Sequence, residues 1–478
     1  MSTYDLGIVG AGPAGMTAAL TALALGLSVV VVDEQQRPGG QIFRQPPASR
    51  SPIPKGVAGY PWGQSLVADA EASSGRDGIR WCLGATALGV LEDDAGLELI
   101  VRQAARTERV GVRRLLVATG AMDLPVAFPG WTLPGVVTAG GMQTMLKAQQ
   151  VLMARNVVLT GGHPLLLLVA GLILDAGGDI AEIALPRSRA SLRDLPRAVG
   201  ALPGHLGVLA NAAATAAKLA RSRVPVRRGA IVTAARGDGR VEEVDVAALR
   251  ADNTIDPEQA PRTVPADGVV LGYGFQPATD LARQAGCGLR WDSPAGGWVI
   301  AHDDDLRTTV PNIFVAGEPA GVAGADQARA EGRLAALMVA ASVRGDDGVA
   351  DNDVESARRD VRRARRFASV VQRLFEPPRE TLTDLARGDT TVCRCEAVTR
   401  DDVEVAIEAN PFLSSTNALK LECRTGMGPC QGRYCELTTA GLLARGRDMS
   451  MEQVGPLNAQ FPIRPATVGE IGRMAEPE

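Results

Sequence analysis

Read for hydrophobic and polar positions, the chain is a series of short buried strands and helices. Tyr4 to Val9 predicts a short apolar strand, followed at once by Gly10-Ala11-Gly12-Pro13-Ala14-Gly15 and an Ala/Leu-rich helix to about Leu25, where Gly26 stops it. Val29 to Val32 reads as a second buried strand ending at Asp33-Glu34. Ile79 to Val90 and Leu97 to Val101 read as strands of a small sheet, and Leu115 to Val117 as a strand running into Ala118-Thr119-Gly120-Ala121. Val157 to Gly161 repeats the strand-to-glycine step. The apolar run Leu165 to Leu174, ended by Asp175, is about half a bilayer span and predicts a buried helix. Pro186 to Leu209 reads as connecting helices and Ala212 to Arg221 as a short helix. Gly268 to Gly274 and Asn312 to Ala316 return as apolar strands, the second leading to Gly317-Glu318, and Ala323 to Met338 is an Ala-rich helix. Between these lie a Pro/Ser-rich loop (Gln45 to Pro54), a solvated charge run (Asp303 to Asp305) and an acidic linker (Gly345 to Asp353).

The order strand, glycine turn, helix, strand, acid is that of a dinucleotide-binding unit. Gly10 permits the tight turn, Gly12 leaves room for a pyrophosphate, and Gly15 lets helix and strand pack closely. The helix N-terminus offers free N–H groups to phosphate. Asp33, 18 residues after Gly15, can accept bonds from ribose hydroxyls. Arg37-Pro38-Gly39-Gly40-Gln41 brings backbone close to something flat, such as a flavin ring. The second unit, Gly161-Gly162-His163-Pro164-Leu165-Leu166, puts His163 at the second fingerprint position and no glycine at the third, so its nucleotide site reads as altered. The expected fold is α/β: two Rossmann-like dinucleotide-binding domains and a small helical C-terminal domain. The first domain takes residues 1–125 and 266–345, with 126–265 inserted; 346–388 is a basic helical linker, 389–440 the C-terminal domain and 441–478 a tail, whose Pro-containing part from Met451 is expected to wrap a neighbour.

Composition narrows the chemistry. A net charge of −4 and 4% aromatic residues argue against nucleic-acid binding, and 46% hydrophobic with 22% charged residues is ordinary for a globular protein. With no basic leader or cleavage site at the N-terminus, the expected place is the cytoplasm, with peripheral membrane contact through a partner. Five of the seven cysteines fall between Thr391 and Cys435. Cys393 and Cys395 form one close pair and Cys430 and Cys435 another, with Gly426, Gly428, Pro429 and Gly432 around the second. Four thiolates in two pairs suit an iron–sulfur cluster or zinc; the C-x-C and C-x4-C spacings favour [2Fe–2S] over the repeated C-x2-C of zinc ribbons. Cys423 reads as a small buried residue outside that set. The arginines from Arg358 to Arg366 predict a basic helix whose face is either solvated or meets a phosphate or acidic partner.

The GAGPAG turn, the RPGGQIFR stretch, the ATGA turn and VAGEPAGVAGA resemble flavoproteins of the thioredoxin-reductase type. VCRCEAVT and GMGPCQGRYC resemble the [2Fe–2S] module of bacterioferritin-associated ferredoxin. Together they resemble the alpha (A) subunit of heteromeric amino-acid dehydrogenases: opine oxidases, proline and D-hydroxyproline dehydrogenases, hydrogen cyanide synthase. The resemblance implies FAD or another adenine nucleotide at Gly10, Gly12, Pro13, Ala14, Gly15, Asp33, Glu34, Gly40, Gln41, Thr119, Gly120, Gly317 and Glu318. It implies the cluster on Cys393, Cys395, Cys430 and Cys435, and, as in some members, an FMN at a subunit contact. Glu318 stands where such flavoproteins more often carry Asp. The implied partners are a smaller FAD-containing beta subunit with the substrate site and a small gamma ferredoxin-like subunit.

Disulfide reductases need a paired redox cysteine near the flavin, and outside the C-terminal module only Cys82 and Cys287 occur. None of His163, His205 and His302 falls in a general-base motif, and no hydrolase motif occurs. The expected role is electron transfer from a partner flavoprotein to an acceptor other than NAD, such as a quinone. The rivals are a self-sufficient NAD(P)H-dependent oxidoreductase and a structural or regulatory subunit that holds a nucleotide without turnover.

Overall fold

The computed structural model describes residues 3–44, 60–93, 96–104, 106–186, 206–345 and 349–472. The expected Gln45–Pro54 loop and most of the expected 186–209 helices lie outside them. The first sheet is built on β1 (Tyr4–Val9), β2 (Val29–Asp33), β3 (Ile79–Leu83), β4 (Ala85–Asp93), β5 (Gly96–Gln103) and β6 (Arg106–Val117), in the order β3-β2-β1-β6-β5-β4, and the Ile313–Val315 strand also pairs with β6. β1 runs parallel to both β2 and β6, with Val9 level with Val32 and with Val117. That register brings Gly10, Asp33 and Ala118 to one edge of the sheet. Both faces of β1 and β2 are covered, so these two strands are nearly continuous apolar runs rather than alternating. β4 and β5 extend this sheet instead of forming a small separate one, because β6 is far longer than its apolar end suggested and pairs on both sides.

Helix α1 (Pro13–Ala24) crosses the Ala325–Arg344 helix at close range. A Cβ on Gly332 would lie 2.2 Å from the Ala14 carbonyl oxygen, and one on Gly15 would lie 1.8 Å from that of Gly10. The glycines are space requirements of the crossing and set where the N-terminus of α1 points.

The second sheet is parallel, in the order Val226–Arg228, Asp179–Leu185, Asn156–Thr160, Gly268–Leu271, Val136–Thr138. This corrects one expectation. Gly268–Leu271, taken as the return of the first domain at residue 266, pairs instead with Asn156–Thr160 and Val136–Thr138. An apolar strand carries no mark of which sheet it joins. The chain crosses between the sheets on an antiparallel pair, Ala121–Asp123 with Phe275–Pro277. A three-stranded antiparallel sheet spanning Ala230–Arg236, Glu243–Ala248 and Arg262–Pro265 lies beside the second sheet.

Two polar segments are also corrected. The basic helix is Asp351–Leu374, and it begins inside the expected acidic linker. Its Arg365 pairs with the fully buried Glu331 of the neighbouring helix, and Arg358 holds Asp305 at 2.6 Å. Asp305 is therefore an anchor for this helix rather than part of a solvated run. The described part of the tail packs on its own chain: Ile463 N–H donates to the Leu88 carbonyl at 2.8 Å, and Arg102 donates to that of Pro465 at 2.8 Å. Among the described residues no helix is long and apolar enough to cross a membrane.

The C-terminal module consists of a Thr391–Cys393/Val398–Thr399 pair and the helices Arg400–Ala409, Thr416–Cys423 and Glu436–Gly446. Its core is continuous with that of the inserted domain. Trp131 Nε1 donates to the Thr391 carbonyl at 2.6 Å, and the Thr381 hydroxyl to that of Asn253 at 2.8 Å. A module too small to bury much apolar surface alone borrows a core from its neighbour.

Candidate functional site

One cavity of ≈ 2170 Å³ runs from the edge of the first sheet to the second domain. This is more than the roughly 300–1,000 Å³ of a typical single-ligand pocket. Gly10, Gly12, Pro13, Ala14, Asp33, Glu34, Gly40, Gln41, Thr119, Gly120, Gly317 and Glu318 all line it. Gly15 does not; it sits behind the wall, against the Gly10 carbonyl.

The cavity wall passes a test of fit for a dinucleotide. Gly10 has φ +110°, and a Cβ there would lie 2.1 Å from the Ala118 carbonyl oxygen, so the turn itself demands glycine. Gly12 differs: its Cβ would meet nothing closer than the Gly40 Cα at 3.9 Å and would project into open space. Asp33 accepts from Ala11 N–H at 2.6 Å and Gln35 N–H at 2.7 Å, one on each oxygen, leaving a second lone pair on each. Burial raises the Asp33 pKa, and those two donors oppose it. Thr119 donates to the Ala278 carbonyl at 2.6 Å and Gly317 N–H to Glu331 at 2.9 Å, which fixes two turns of the wall.

This layout separates two substitutions. Gly12→Val leaves the fold intact but is expected to lower dinucleotide affinity at least roughly a hundredfold, through overlap with the ligand. Gly10→Val destabilises the fold itself. Heat-released nucleotide per chain, read beside the melting temperature, distinguishes the two.

Glu318 opens a short 3-10 turn, Glu318–Ala320, with its carboxyl enclosed by protein although the residue keeps some exposure to the cavity. Burial first, then the charge of Asp123, pushes its pKa up to about 7. Asp123, which no sequence motif marks, accepts from Gly140 N–H and the Thr138 hydroxyl, both at 2.9 Å. A raised carboxyl pKa means that the folded state favours the protonated form. The contribution is complete below about pH 4.5 and is lost as pH rises through about 7. On nucleotide-free protein, wild type is therefore expected to lose stability relative to Glu318→Gln between pH 5 and pH 8, by at most roughly 3 kcal/mol. Paired melting curves measure it.

The second dinucleotide fold keeps the turn but puts a side chain at its second position, while Gly162, His163 and Pro164 still line the cavity. Gly161 has φ +134°, and a Cβ there would lie 2.2 Å from the Gly272 carbonyl oxygen, repeating Gly10. His163, however, caps the Pro164–Asp175 helix, its Nδ1 accepting from Leu165 N–H at 3.2 Å and its ring edge-on to Phe275. Burial lowers its pKa to about 4, which keeps the ring neutral. Leu166, at the Gly15 position, packs against Gly272. By register with the neighbouring strand, Leu185 stands where the first fold has Asp33.

The four cysteines stand as two pairs. Cys393 lies beside Cys435, and Cys430 beside Cys395, close enough for each to act on the other's titration. Among the described residues no three His, Cys, Asp or Glu side chains converge as a single-ion site. Contact with Cys435 drives the Cys393 pKa down to about 5, with help from the N–H groups of Gly426, Glu396 and Cys395, and drives that of Cys435 up. Burial raises the Cys430 pKa, against the N–H groups of Tyr434 and Gly432. Two thiol pairs ringed by backbone N–H donors fit a two-iron cluster, two thiolates per iron. The loop glycines are spatial needs: a Cβ on Gly428 would lie 2.2 Å from the Cys395 Cβ, and ones on Gly426 and Gly432 would meet Leu457 of the tail. Cys423 donates to the Leu419 carbonyl of its own helix. Cys82 and Cys287 are both buried in one core cluster of the first domain.

Module and cavity share a wall. Asp280, Ile463 and Arg464 line the cavity. Asp280 pairs with Arg433 of the cysteine loop at 2.9 Å, with Arg464 at 3.1 Å and with Arg283 at 3.3 Å. Arg464 reaches on to Glu34, and Arg283 to Glu436, beside Cys435. The Arg433 carbonyl accepts from Gln276 at 2.6 Å. None of this network was visible in the sequence, because its members are scattered from residue 34 to residue 464 without a motif.

Comparison with known proteins agrees with this architecture. Residues 4–332 match the family model "Pyridine nucleotide-disulphide oxidoreductase", and residues 391–445 match "BFD-like [2Fe-2S] binding domain". Among curated proteins, one subunit of the opine oxidase of Agrobacterium tumefaciens is 36% identical, over 98% of this chain and 92% of its own length. The HcnB subunit of the hydrogen cyanide synthase of Pseudomonas aeruginosa is 33% identical, over 96% of each chain. In fold, the chain is similar to L-proline dehydrogenase from P. horikoshii, with a TM-score of 0.68 at 19% identity, covering 98% of this chain and 79% of that one.

Proposed function

The chain belongs to the pyridine nucleotide-disulphide oxidoreductase family and carries a BFD-like [2Fe-2S] binding domain, and from that premise we propose that it is the electron-transferring subunit of a heteromeric amino- or imino-acid dehydrogenase. The observation that carries this reading is the asymmetry of the two nucleotide folds. The first keeps an open glycine at Gly12 and an acid at Asp33, whereas the second has His163, Leu166 and Leu185 in the corresponding places. On this reading a chain whose nicotinamide site is altered receives its electrons elsewhere; that its relatives are named as subunits supports a partner as the source, and the partner is taken to oxidise a C–N bond.

A bound flavin and a [2Fe–2S] cluster would supply the redox chemistry. The chain's own residues hold and insulate them. Gly10, Gly12 and the N-terminus of α1 present N–H groups to a pyrophosphate, Asp33 faces the ribose, and Gly40, Gln41, Thr119, Gly120, Gly317 and Glu318 shape the remainder. Cys393, Cys395, Cys430 and Cys435 hold the cluster. Asp280 and Arg433 keep its loop against the cavity wall. The substrate class is an opine, a hydroxyproline, proline or glycine, bound on the partner.

The test is direct. Chain purified alone and chain co-purified with its partner are each mixed anaerobically with NADH and with a panel of these amino and imino acids. Cofactor bleaching by an amino or imino acid in the complex alone is the expected result. Rapid NADH oxidation by the isolated chain overturns the proposal in favour of a self-sufficient reductase.

A further inference from the structure

The cysteine module carries large apolar side chains that no described residue covers. Phe412 is 88% exposed, Leu421 74% and Val405 63%. They stand on the helices Arg400–Ala409 and Thr416–Cys423 and on the turn between them. One Asn410 side chain joins the pieces: its Oδ1 accepts from Phe412 N–H at 3.1 Å, and its Nδ2 donates to Glu422 at 2.7 Å. Phe412 therefore lies beside the C-terminal end of the second helix, where Leu421 stands. Val405 shares its helix face with Asp401 and Glu408, four residues before and three after it, and both are exposed. Between Arg400 and Arg424 five carboxylates stand against three basic side chains. Two of those three are held in ion pairs, Arg400 with Glu404 and Arg424 with Glu396. The cations left over are Lys420 and, near the cysteines, Arg394, so the face is apolar with an acidic surround.

This face borders the open edge of the cysteine set. Cys395 is the exposed member; Cys393 and Cys435 are buried, and Cys430 is half-buried. The second helix runs into Arg424, whose guanidinium holds Glu396, the residue after Cys395, at 2.9 Å. Arg433, by contrast, ties the 430–435 loop to Asp280 on the cavity wall. A cluster on these four cysteines thus has one edge toward the cavity and another, at Cys395, toward solvent. Size decides what covers the face. A permanent subunit contact takes roughly 20–30 residues a side around an apolar core. Three apolar side chains among carboxylates fall well short of that, and match the small, charge-steered contacts of transient redox encounters.

We propose that Val405, Phe412 and Leu421, with the carboxylates around them, form the docking face for a small one-electron carrier protein whose redox centre is surrounded by an apolar patch with a basic rim. Each encounter moves one electron from the reduced cluster to the oxidised metal centre of the carrier; no bond is made or broken. The inference rests on the electron-transfer reading above and adds the exit.

The probe is an oxidised, basic c-type cytochrome. The full chain with its cofactors is reduced anaerobically by a stoichiometric amount of dithionite and mixed with it. Calorimetry follows binding of the same cytochrome to the oxidised chain, a readout that needs no turnover. Binding and electron transfer should both weaken as ionic strength rises. Phe412→Ser and Leu421→Ser should each lower cytochrome affinity roughly tenfold, and lower the ratio of cytochrome to ferricyanide reduction by a similar factor, because a small anion needs no apolar seat. Glu408→Gln combined with Glu422→Gln should flatten the salt dependence. Val468→Ser, as exposed as Phe412 but on the tail, should match wild type. Iron content and melting temperature, read on every variant, separate docking from folding. No saturable cytochrome binding, or binding and reduction at the wild-type level in Phe412→Ser and Leu421→Ser, overturns the face. So does a shift of the isolated chain from oligomer to monomer in Phe412→Ser, which assigns the face to a second copy, and so does loss of the co-purified catalytic partner, which makes it a permanent contact. Failure of the electron-transfer reading looks different: the reduced wild-type chain then passes electrons to neither cytochrome nor ferricyanide.

Discussion

Cys393→Ser is expected to strip the chain of its cluster, with iron falling from about two atoms per chain by well over roughly tenfold and the visible absorbance disappearing with it. Cys393 is 1% exposed, closes a short strand, and takes N–H groups from Cys395, Glu396 and Gly426. Those donors are arranged for a sulfur anion. A serine hydroxyl is a poor donor to iron at neutral pH, and its shorter bond draws the oxygen away from the Cys435 side. The module also loses the part of its stability that cluster binding supplies, while keeping the core it shares with the inserted domain. Its helices should then melt at a lower temperature than the dinucleotide domains, giving a second transition in calorimetry. Cys423→Ser is the matched control: Cys423 bonds only to its own helix and to Thr425, so iron and absorbance should stay at the wild-type level. Retention of iron by Cys393→Ser would remove this residue from the ligand set.

What was legible in the sequence is what short-range chemistry dictates. The β1–α1–β2 unit is encoded by adjacent residues, so Gly10, Gly12 and Asp33 could be placed before any fold was known, and the structure sets them on one sheet edge. The cysteine pairs are likewise local. The failures all concern pairing at long range. Gly268–Leu271 is apolar enough for either sheet, and only its register with Asn156–Thr160 decides. The arginines from Arg358 to Arg366 read as a face either solvated or meeting a phosphate or acidic partner; Arg359, Arg362, Arg363 and Arg366 are exposed, whereas Arg358 and Arg365 pair with Asp305 and Glu331, which lie well upstream. Asp123 sits in no motif. The tail is the clearest case. Its prolines suggested an extended arm, but not that Ile463 would bond to Leu88, nor that Arg464 would reach Glu34 and Asp280.

That tail leads to a second large effect. Asp280→Asn is expected to destabilise the chain by about 3–5 kcal/mol, the usual cost of removing one partner from a buried ion cluster. Burial alone would raise the Asp280 pKa; Arg283, then Arg433 and Arg464, outweigh it and hold the carboxyl below the ordinary range. A depressed pKa contributes stability above the unfolded value and loses it as pH falls through the folded one, so wild type and variant should converge in acid. At neutral pH the variant leaves three guanidinium groups close together around a neutral amide. Arg283 keeps Glu436 and Arg464 keeps Glu34, but among the described residues the Arg433 side chain has no other carboxylate and retains only the Ile463 carbonyl. The segment freed first is therefore the 430–435 loop, followed by the tail that crosses it at Pro462 and Ile463. Limited proteolysis should cut the variant within residues 455–472 under conditions in which wild type is intact, and its iron should be lost faster to a chelator. Asp280→Glu, which keeps the charge and adds one methylene, should restore most of both. Resistance of Asp280→Asn to protease, with wild-type iron retention, would mean that the cysteine loop is held by its glycines and Leu457 alone, and that the ionic cluster on the cavity wall contributes nothing to keeping the module in place.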